Sequence, residues 1–386
     1  MNILIINCGS SSVKFKLFDM NNERIIIQGI CDAISLNNSS LNYKFKGKEY
    51  KNKIHLKDHN HALKVIVNLL KKYDLLNCID AIGHRVVHGG EYFIRPTIIN
   101  EGVLKKLKEI SYLAPLHNPV NILGIEVIMK LINKPNVAVF DTSFHSTLPK
   151  EAFLYAIPYE FYKKYKIRRY GFHGMSHKYV SIECAKILNK DIKKLRIITC
   201  HLGNGASITA IKHGRSIETS MGFTPLEGLV MGTRCGDIDP YIPIFLQEKE
   251  SKTSKEIYDL LNKESGLKGL SELSSDMRIL LSNMDKEKVK LAIDVFIHRI
   301  VKYIGAYISF LNGLDALVFT AGIGENNPYI RKKIIEHFSF LNIKIDEEKN
   351  KNNEVIISSQ DSKVKVLVIK TNEELQIARE VMSVFR

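Results

Sequence analysis

The chain opens on an apolar run of strand length, Asn2-Ile3-Leu4-Ile5-Ile6-Asn7. After a small polar stretch, Cys8-Gly9-Ser10-Ser11-Ser12, it resumes with Val13-Lys14-Phe15-Lys16-Leu17-Phe18, where Val13, Phe15 and Leu17 alternate with lysines. Alternation of period two predicts a half-buried strand, so the pair reads as two strands joined by a polar tip. The arrangement returns near the middle, with a strand over 196–200, a tip from His201 to Ser207, and a return over 208–211. Residues 137–140 running into Asp141-Thr142-Ser143, and 316–319 running into Thr320-Ala321-Gly322, form a second matching pair. Two halves with the same order of strands and polar ends predict an internal duplication.

Helical periodicity fills the intervals. Residues 61–72 place Leu63, Ile66, Val67 and Leu70 on one face, and 119–131 and 176–188 carry similar stripes. The longest predicted helix covers 285–311, with Val289, Ala292, Phe296, Ile300, Tyr303, Tyr307 and Leu311 in line and Asn312-Gly313 as its stop. Asn327-Pro328 starts another helix, and Thr371-Asn372-Glu373-Glu374 has the capping-box pattern that opens a last one. The sum is an α/β protein with mixed sheets, divided near residue 146. Residues 37–58 and 346–362 are polar and loop-rich and carry no signal about function.

A length of 386 residues supports two or three domains, and 45% hydrophobic with 25% charged residues excludes disordered, collagen-like and coiled-coil chains. The opening apolar run falls far short of the ~20 residues of a membrane span. It lacks the basic flank and cleavage site of a signal peptide, so no membrane partner is predicted. The six cysteines form no C-x-x-C pair, which points away from a disulfide framework and toward a reduced, cytoplasmic protein. The net charge of +15 attracts anions, either nucleic acid or a small anionic substrate. Its lysines are dispersed and not interleaved with aromatics, which favours the small anion over nucleic acid.

Three tips carry the first candidate chemistry: Gly9 to Ser12 with Lys14 just beyond, Gly203-Asn204-Gly205, and Gly322-Ile323-Gly324-Glu325-Asn326. Glycine lets backbone N–H groups approach phosphate oxygens, although none of the three has a Walker or dinucleotide spacing. The second class is cationic. His84-Arg85, Leu116-His117-Asn118-Pro119, the segment Arg168 to His177, and Gly232-Thr233-Arg234-Cys235-Gly236 set Arg and His beside Gly. The histidines lack the spacing of a zinc site. Phosphoryl transfer accounts for the combination, because its charge builds on phosphoryl oxygens and calls for fixed cationic donors.

Asn7 to Lys14 and Gly171-Phe172-His173-Gly174-Met175-Ser176-His177 together resemble the two signature segments of the acetokinase family. Phe140-Asp141-Thr142, His201 to Gly205, Met221 to Gly228, Thr233 to Gly236, Gly322 to Asn326 and Thr371 to Glu374 are similar to further family segments, in order along the chain. The resemblance implies two duplicated actin-like (ribonuclease H-like) domains with a nucleotide cleft between them, one over 1–145 closed by 375–386 and the other over 146–374, usually in a homodimer. It also implies ATP + acetate ⇌ ADP + acetyl phosphate with Mg²⁺, or Mn²⁺ in its place. Propionate and butyrate are the nearest rival acceptors, since one methylene is worth only ~1–3 kcal/mol of discrimination.

By the same resemblance, Asn7 and Glu373 hold the metal through water. Lys14 and the tip His201, Leu202, Gly203, Asn204 and Gly205 meet the nucleotide phosphates. Asp276, Met277 and Arg278, with Gly322, Ile323, Gly324, Glu325 and Asn326, line the adenosine side. Arg85 and Arg234 grip the carboxylate and the moving phosphoryl, His173 donates to that phosphoryl, His117 supports the site, and Asp141 is the acid/base residue. A carboxylate is already ionised at pH 7, so an orienting part for Asp141 is favoured over proton transfer, with direct in-line displacement as the route.

Overall fold

The computed structural model describes residues 1–386 and divides into two units, Met1–Ser146 with Asn372–Arg386, and Thr147–Thr371. The return into the first unit begins at Asn372, three residues ahead of the expected Leu375, because the C-terminal helix Glu373–Val384 is capped there. Glu373 therefore belongs to the first unit.

In that unit β1 (Asn2–Cys8), β2 (Val13–Asp19), β3 (Arg24–Asp32), β4 (Ser40–Phe45), β5 (Lys48–Lys53), β6 (Ala81–Val86), β7 (Thr97–Ile98) and β8 (Asn136–Phe140) form one sheet ordered β5-β4-β3-β2-β1-β6-β8-β7. β1 pairs antiparallel with β2 and parallel with β6, which pairs parallel with β8. Burial follows from this placement. β8 is buried at every position, as a strand inside a parallel array must be, whereas β2 alternates Val13, Phe15 and Leu17 inward with Lys14 and Lys16 outward. The helix Asn118–Leu131 and the C-terminal helix both pack on β1 and β6. The first comes very close, for a Cβ on Gly124 would stand 2.5 Å from Cys8 Sγ.

The second unit has β9 (Arg196–Leu202), β10 (Ala206–Lys212), β11 (Arg215–Thr219), β12 (Ala316–Thr320) and β13 (Lys365–Val368), ordered β11-β10-β9-β12-β13. The long helix Glu287–Leu311 packs on β9 and β10, and helix Gly174–Ile187 on β9 and β12. In each sheet the two pairings nearest the first strand on one side are antiparallel and the two nearest on the other are parallel. The duplication is therefore one of topology. It corrects the second sequence match, since β12 corresponds by position to β6, and β8 to β13.

Four local expectations also change. Residues 37–58 hold the β4–β5 hairpin, turned at Lys46 and Gly47 with φ of 48° and 79°. Its Leu41 and Tyr43 are buried in the core, and Tyr43 stacks on Tyr50 at 4.6 Å. Within 346–362 lies a helix, Glu347–Lys351, whose Asn350 is buried against Arg331. Gly322 to Asn326 is helix Ala321–Asn326 rather than a loop. The last helix is capped by Asn372, whose side chain accepts from Leu375 N at 3.2 Å, while Thr371 turns its hydroxyl to Ser176.

Candidate active site

The parallel strands of the first unit bring four predicted residues together at their C-terminal ends, where open α/β sheets commonly bind ligands. Asn7 lies near the end of β1, Arg85 near the end of β6, and Asp141 directly after β8. Glu373 opens the C-terminal helix. Arg85 donates from Nε to Asp141 Oδ1 at 3.0 Å and from Nη2 to Oδ2, a two-pronged pairing that fixes the guanidinium plane. Its Nη1 reaches Asn7 Oδ1 at 3.4 Å, and Glu373 Oε2 stands 4.0 Å from Nε. Burial opposes the charge on Arg85, but Asp141 and then Glu373 outweigh it and hold the guanidinium well above its usual range. Burial pushes the Glu373 carboxyl up, against the pull of Arg85, and the charges of Asp141 and Glu374 add to the rise. Lys14 is exposed on β2 opposite Asn7, and His117 is exposed at the cap of helix Asn118–Leu131.

The backbone beyond Arg85 is held by side chains to which the sequence assigns no role. Asn121 accepts from Val87 N at 3.1 Å and donates to Cys8 O at 2.8 Å. Asn118 accepts from His88 N at 3.1 Å and donates to His88 O at 2.9 Å, and Thr142 accepts from Gly89 N at 3.1 Å. All three are buried, so they stand in for a neighbouring strand where the sheet has ended. Asn118 and Asn121 sit three apart on one helix face, a spacing visible in the sequence but not distinctive there.

In the second unit the tip after β9 gathers His173, His201 and Arg234. Gly203 N donates to Gly205 O at 3.1 Å, which closes the tip tightly. A Cβ on Gly205 would lie 2.9 Å from Arg234 Nη2 and 3.4 Å from His173 Nε2, so a larger residue would crowd both. His173 and His201 stack with centroids 4.1 Å apart. Arg234 spends Nη1 on Pro225 O at 2.7 Å and pairs with no carboxylate, and burial lowers its pKa. Its loop is closed by Gly228 N on Asp237 Oδ1 at 2.8 Å. Asp237 in turn takes the Tyr303 hydroxyl at 2.8 Å from the long helix.

A cleft of about 640 Å³ adjoins the tip, lined by Gly203, Asn204, the run from Ser275 to Arg278, Gly322, Ile323, Asn326 and Asn327. The three segments expected on the nucleotide side thus share one cavity. Three of their members turn elsewhere. Glu325 uses its carboxylate on Ala321 N at 2.8 Å and Thr371 N at 3.1 Å, and Gly324 gives its carbonyl to Arg331. Leu202 is wholly buried at the end of β9.

Two units of one strand topology, the first with a carboxylate-paired arginine at its strand ends and the second with an arginine free of carboxylate beside its glycine tip, make this a duplicated α/β fold with anion-directed groups in each unit. The model of the acetokinase family matches residues 2–379. The chain is 53% identical to acetate kinase of Thermotoga maritima, with 98% of each chain covered, and 55% identical to that of Fervidobacterium nodosum, with 98% and 97% covered. Among solved structures, acetate kinase of Porphyromonas gingivalis superposes with a TM-score of 0.93 at 42% identity over the whole of both chains. A propionate kinase of Francisella tularensis gives 0.93 at 45%, with 98% of each covered. The chain belongs to the acetokinase family.

Proposed function

We propose that the protein is an acetate kinase, transferring the γ-phosphoryl of ATP to acetate and forming ADP and acetyl phosphate, reversibly. The observation that carries this reading is Arg234, a half-buried guanidinium without a carboxylate, set beside His173 and a glycine tip. A cation so placed favours an anion, and most of all the charge that gathers on a transferring phosphoryl.

The donors on the first unit fit magnesium. Asn7 and Glu373 offer only oxygen, and Glu373 sits among like charges that a cation relieves. No group of three His, Cys, Asp or Glu forms a protein cage, which suits an ion that keeps most of its water. Held by Asn7 and Glu373, magnesium would supply neutralisation of the polyphosphate. The remaining work falls to side chains. Arg85, its plane fixed by Asp141, binds the carboxylate of acetate and presents one oxygen to the γ-phosphorus. That oxygen forms the new P–O bond as the bond to the ADP oxygen breaks, and Arg234 and His173 stabilise the phosphoryl in passage. Asp141 has both oxygens engaged by Arg85, which supports its orienting part. Lys14 and the His201 to Gly205 tip meet phosphates, the 640 Å³ cleft takes the adenosine, and His117 supports the carboxylate side.

The test is trapping of acyl phosphate by hydroxylamine from pure protein, ATP, Mg²⁺ and acetate, propionate or butyrate in turn. Highest kcat/KM with acetate is expected. Highest with propionate would assign the chain to the activity named for its Francisella neighbour, and no acyl phosphate from any acid would end the kinase reading. The activity belongs in the cytoplasm, where ATP is maintained. A homodimer completes the proposal. Helix Tyr241–Glu250 buries none of its residues and leaves Tyr241, Ile242, Ile244 and Phe245 exposed, a face suited to a second copy. Sedimentation at twice the 44.0 kDa chain mass is the expected result, and a monomer at micromolar concentration would refute it.

A further inference from the structure

Thr199 on β9 and Ser207 on β10 are fully buried hydroxyls within apolar strands. They belong to a chain of hydrogen bonds. Thr199 Oγ1 lies 2.7 Å from His177 Nδ1, His177 Nε2 lies 2.7 Å from Ser207 Oγ, and Ser207 Oγ lies 2.9 Å from His173 Nδ1. With both rings neutral, Ser207 has one proton for two imidazole neighbours, so it donates to one ring and accepts from the other. If it donates to His173, His177 donates from Nε2 and receives the Thr199 proton at Nδ1, and every proton between Thr199 and His173 Nδ1 has an acceptor. In the opposite sense His177 donates to Thr199, whose own buried proton is then left without one, at the desolvation cost of an unmade bond. The first sense wins, and His173 carries its proton on Nε2.

A second chain runs beside the first. Thr371 donates its hydroxyl to Ser176 Oγ at 2.8 Å, which leaves the Ser176 proton for His201 Nδ1, also at 2.8 Å. His201 is thereby set in the same tautomer as His173, on which it stacks. We infer that these two hydroxyl relays lock His173 and His201 with their protons on Nε2, which makes Ser207, His177 and Ser176 positioning residues for phosphoryl transfer. The functional half of the inference rests on His173 as donor to the phosphoryl. The geometry agrees with it, since a Cβ on Gly205 would lie 3.4 Å from both Cε1 and Nε2 of His173 and 2.9 Å from Arg234 Nη2, which puts that edge of the ring toward the tip and the arginine.

The deciding measurement is long-range ¹H–¹⁵N correlation of the histidine rings in the wild-type protein at neutral pH. His173 and His201 are expected to show a protonated Nε2 and an unprotonated Nδ1. A His173 with its proton on Nδ1 overturns the inference, with no variant needed. Ser207→Ala should mix the two tautomers of His173 and lower kcat about 10-fold, as for one lost hydrogen bond, with KM for ATP and acetate within about twofold. Ser207→Thr, which keeps the hydroxyl, should recover most of that loss. Wild-type kcat in folded Ser207→Ala removes Ser207 from the positioning role. The expected tautomers in a protein that makes no acyl phosphate would leave the relays standing and end the kinase reading alone.

Discussion

Arg85 and Arg234 are the same side chain in opposite electrostatic settings. Arg85 is neutralised by Asp141 and has Glu373 nearby, whereas Arg234 is desolvated with only a carbonyl as partner. An unpaired guanidinium gains most when negative charge arrives, so Arg234 should act on the transition state more than on the ground state. Arg234→Ala is expected to lower kcat about 10³-fold, and Arg234→Lys should restore little, because a point charge does not reproduce the planar fork. A change confined to KM in steady-state assays would make Arg234 a binding residue only. A second residue makes a prediction about pH. Burial pushes Glu218 up to about 7, with Arg169 opposing and Glu227 adding to the rise. A carboxyl raised on folding favours its protonated form, so stability falls as pH rises from the unfolded value toward 7, and the penalty stays in full above it. Glu218→Gln should therefore raise Tm at pH 8 and leave it unchanged near pH 4, and an equal gain at both would refute the raised carboxyl. At this scale the sequence offered residue types but not their partners. Arg85 and Asp141 are distant in sequence and meet because two parallel strands end side by side, so which arginine is neutralised became visible only in the fold.

At the scale of elements, the ends of strands matter more than their middles. β6 stops at Val86, yet its backbone continues in order through Gly89 because Asn121, Asn118 and Thr142 supply the missing ladder. Gly124 lets the helix of Asn118 and Asn121 approach closely enough for Asn121 to span Cys8 and Val87. Asn121→Ala would leave a buried N–H and a buried carbonyl unpaired, a loss of about 2–4 kcal/mol in urea unfolding. It should also raise KM for acetate about 10-fold while the affinity for ADP holds, because the slack falls beside Arg85. An unaltered acetate KM in the folded variant would reduce Asn121 to a purely structural part. Elements with strong periodicity were legible beforehand, and those with mixed signals were not. The β4–β5 hairpin carries Leu41, Tyr43 and Phe45 in strict alternation, but lysines between and after them gave it the look of a loop. Helix Ala321–Asn326 was hidden by its two glycines, which disfavour helix until Glu325 accepts from Ala321 N and Arg331 takes the carbonyls of Gly324 and Glu325.

At the scale of the whole chain, one strand topology appears twice and its two copies carry different chemistry. The first copy ends in oxygen donors and a neutralised arginine, and the second ends in a glycine tip, two stacked imidazoles and an open cleft. Duplication was readable from the hairpin openings at both ends of the pattern, but the later strands were matched one place out of step because the intervening segments differ between the copies. If the copies have divided the substrates between them, their binding energies should separate. Calorimetric titration with ADP in the absence of carboxylate should give Arg85→Ala and Asp141→Asn affinities within about twofold of wild type, since the 640 Å³ cleft is built wholly within the second unit. A Cβ on Gly322 meets nothing within 4 Å, so Gly322→Leu projects into that cleft without disturbing its walls. It should weaken ADP at least 10-fold, about 1.4 kcal/mol, and leave KM for acetate near its wild-type value. Loss of ADP affinity beyond 10-fold in Arg85→Ala would show that the carboxylate arginine itself holds nucleotide, beyond the phosphate contact of Lys14, and the division of labour between the copies would have to be abandoned.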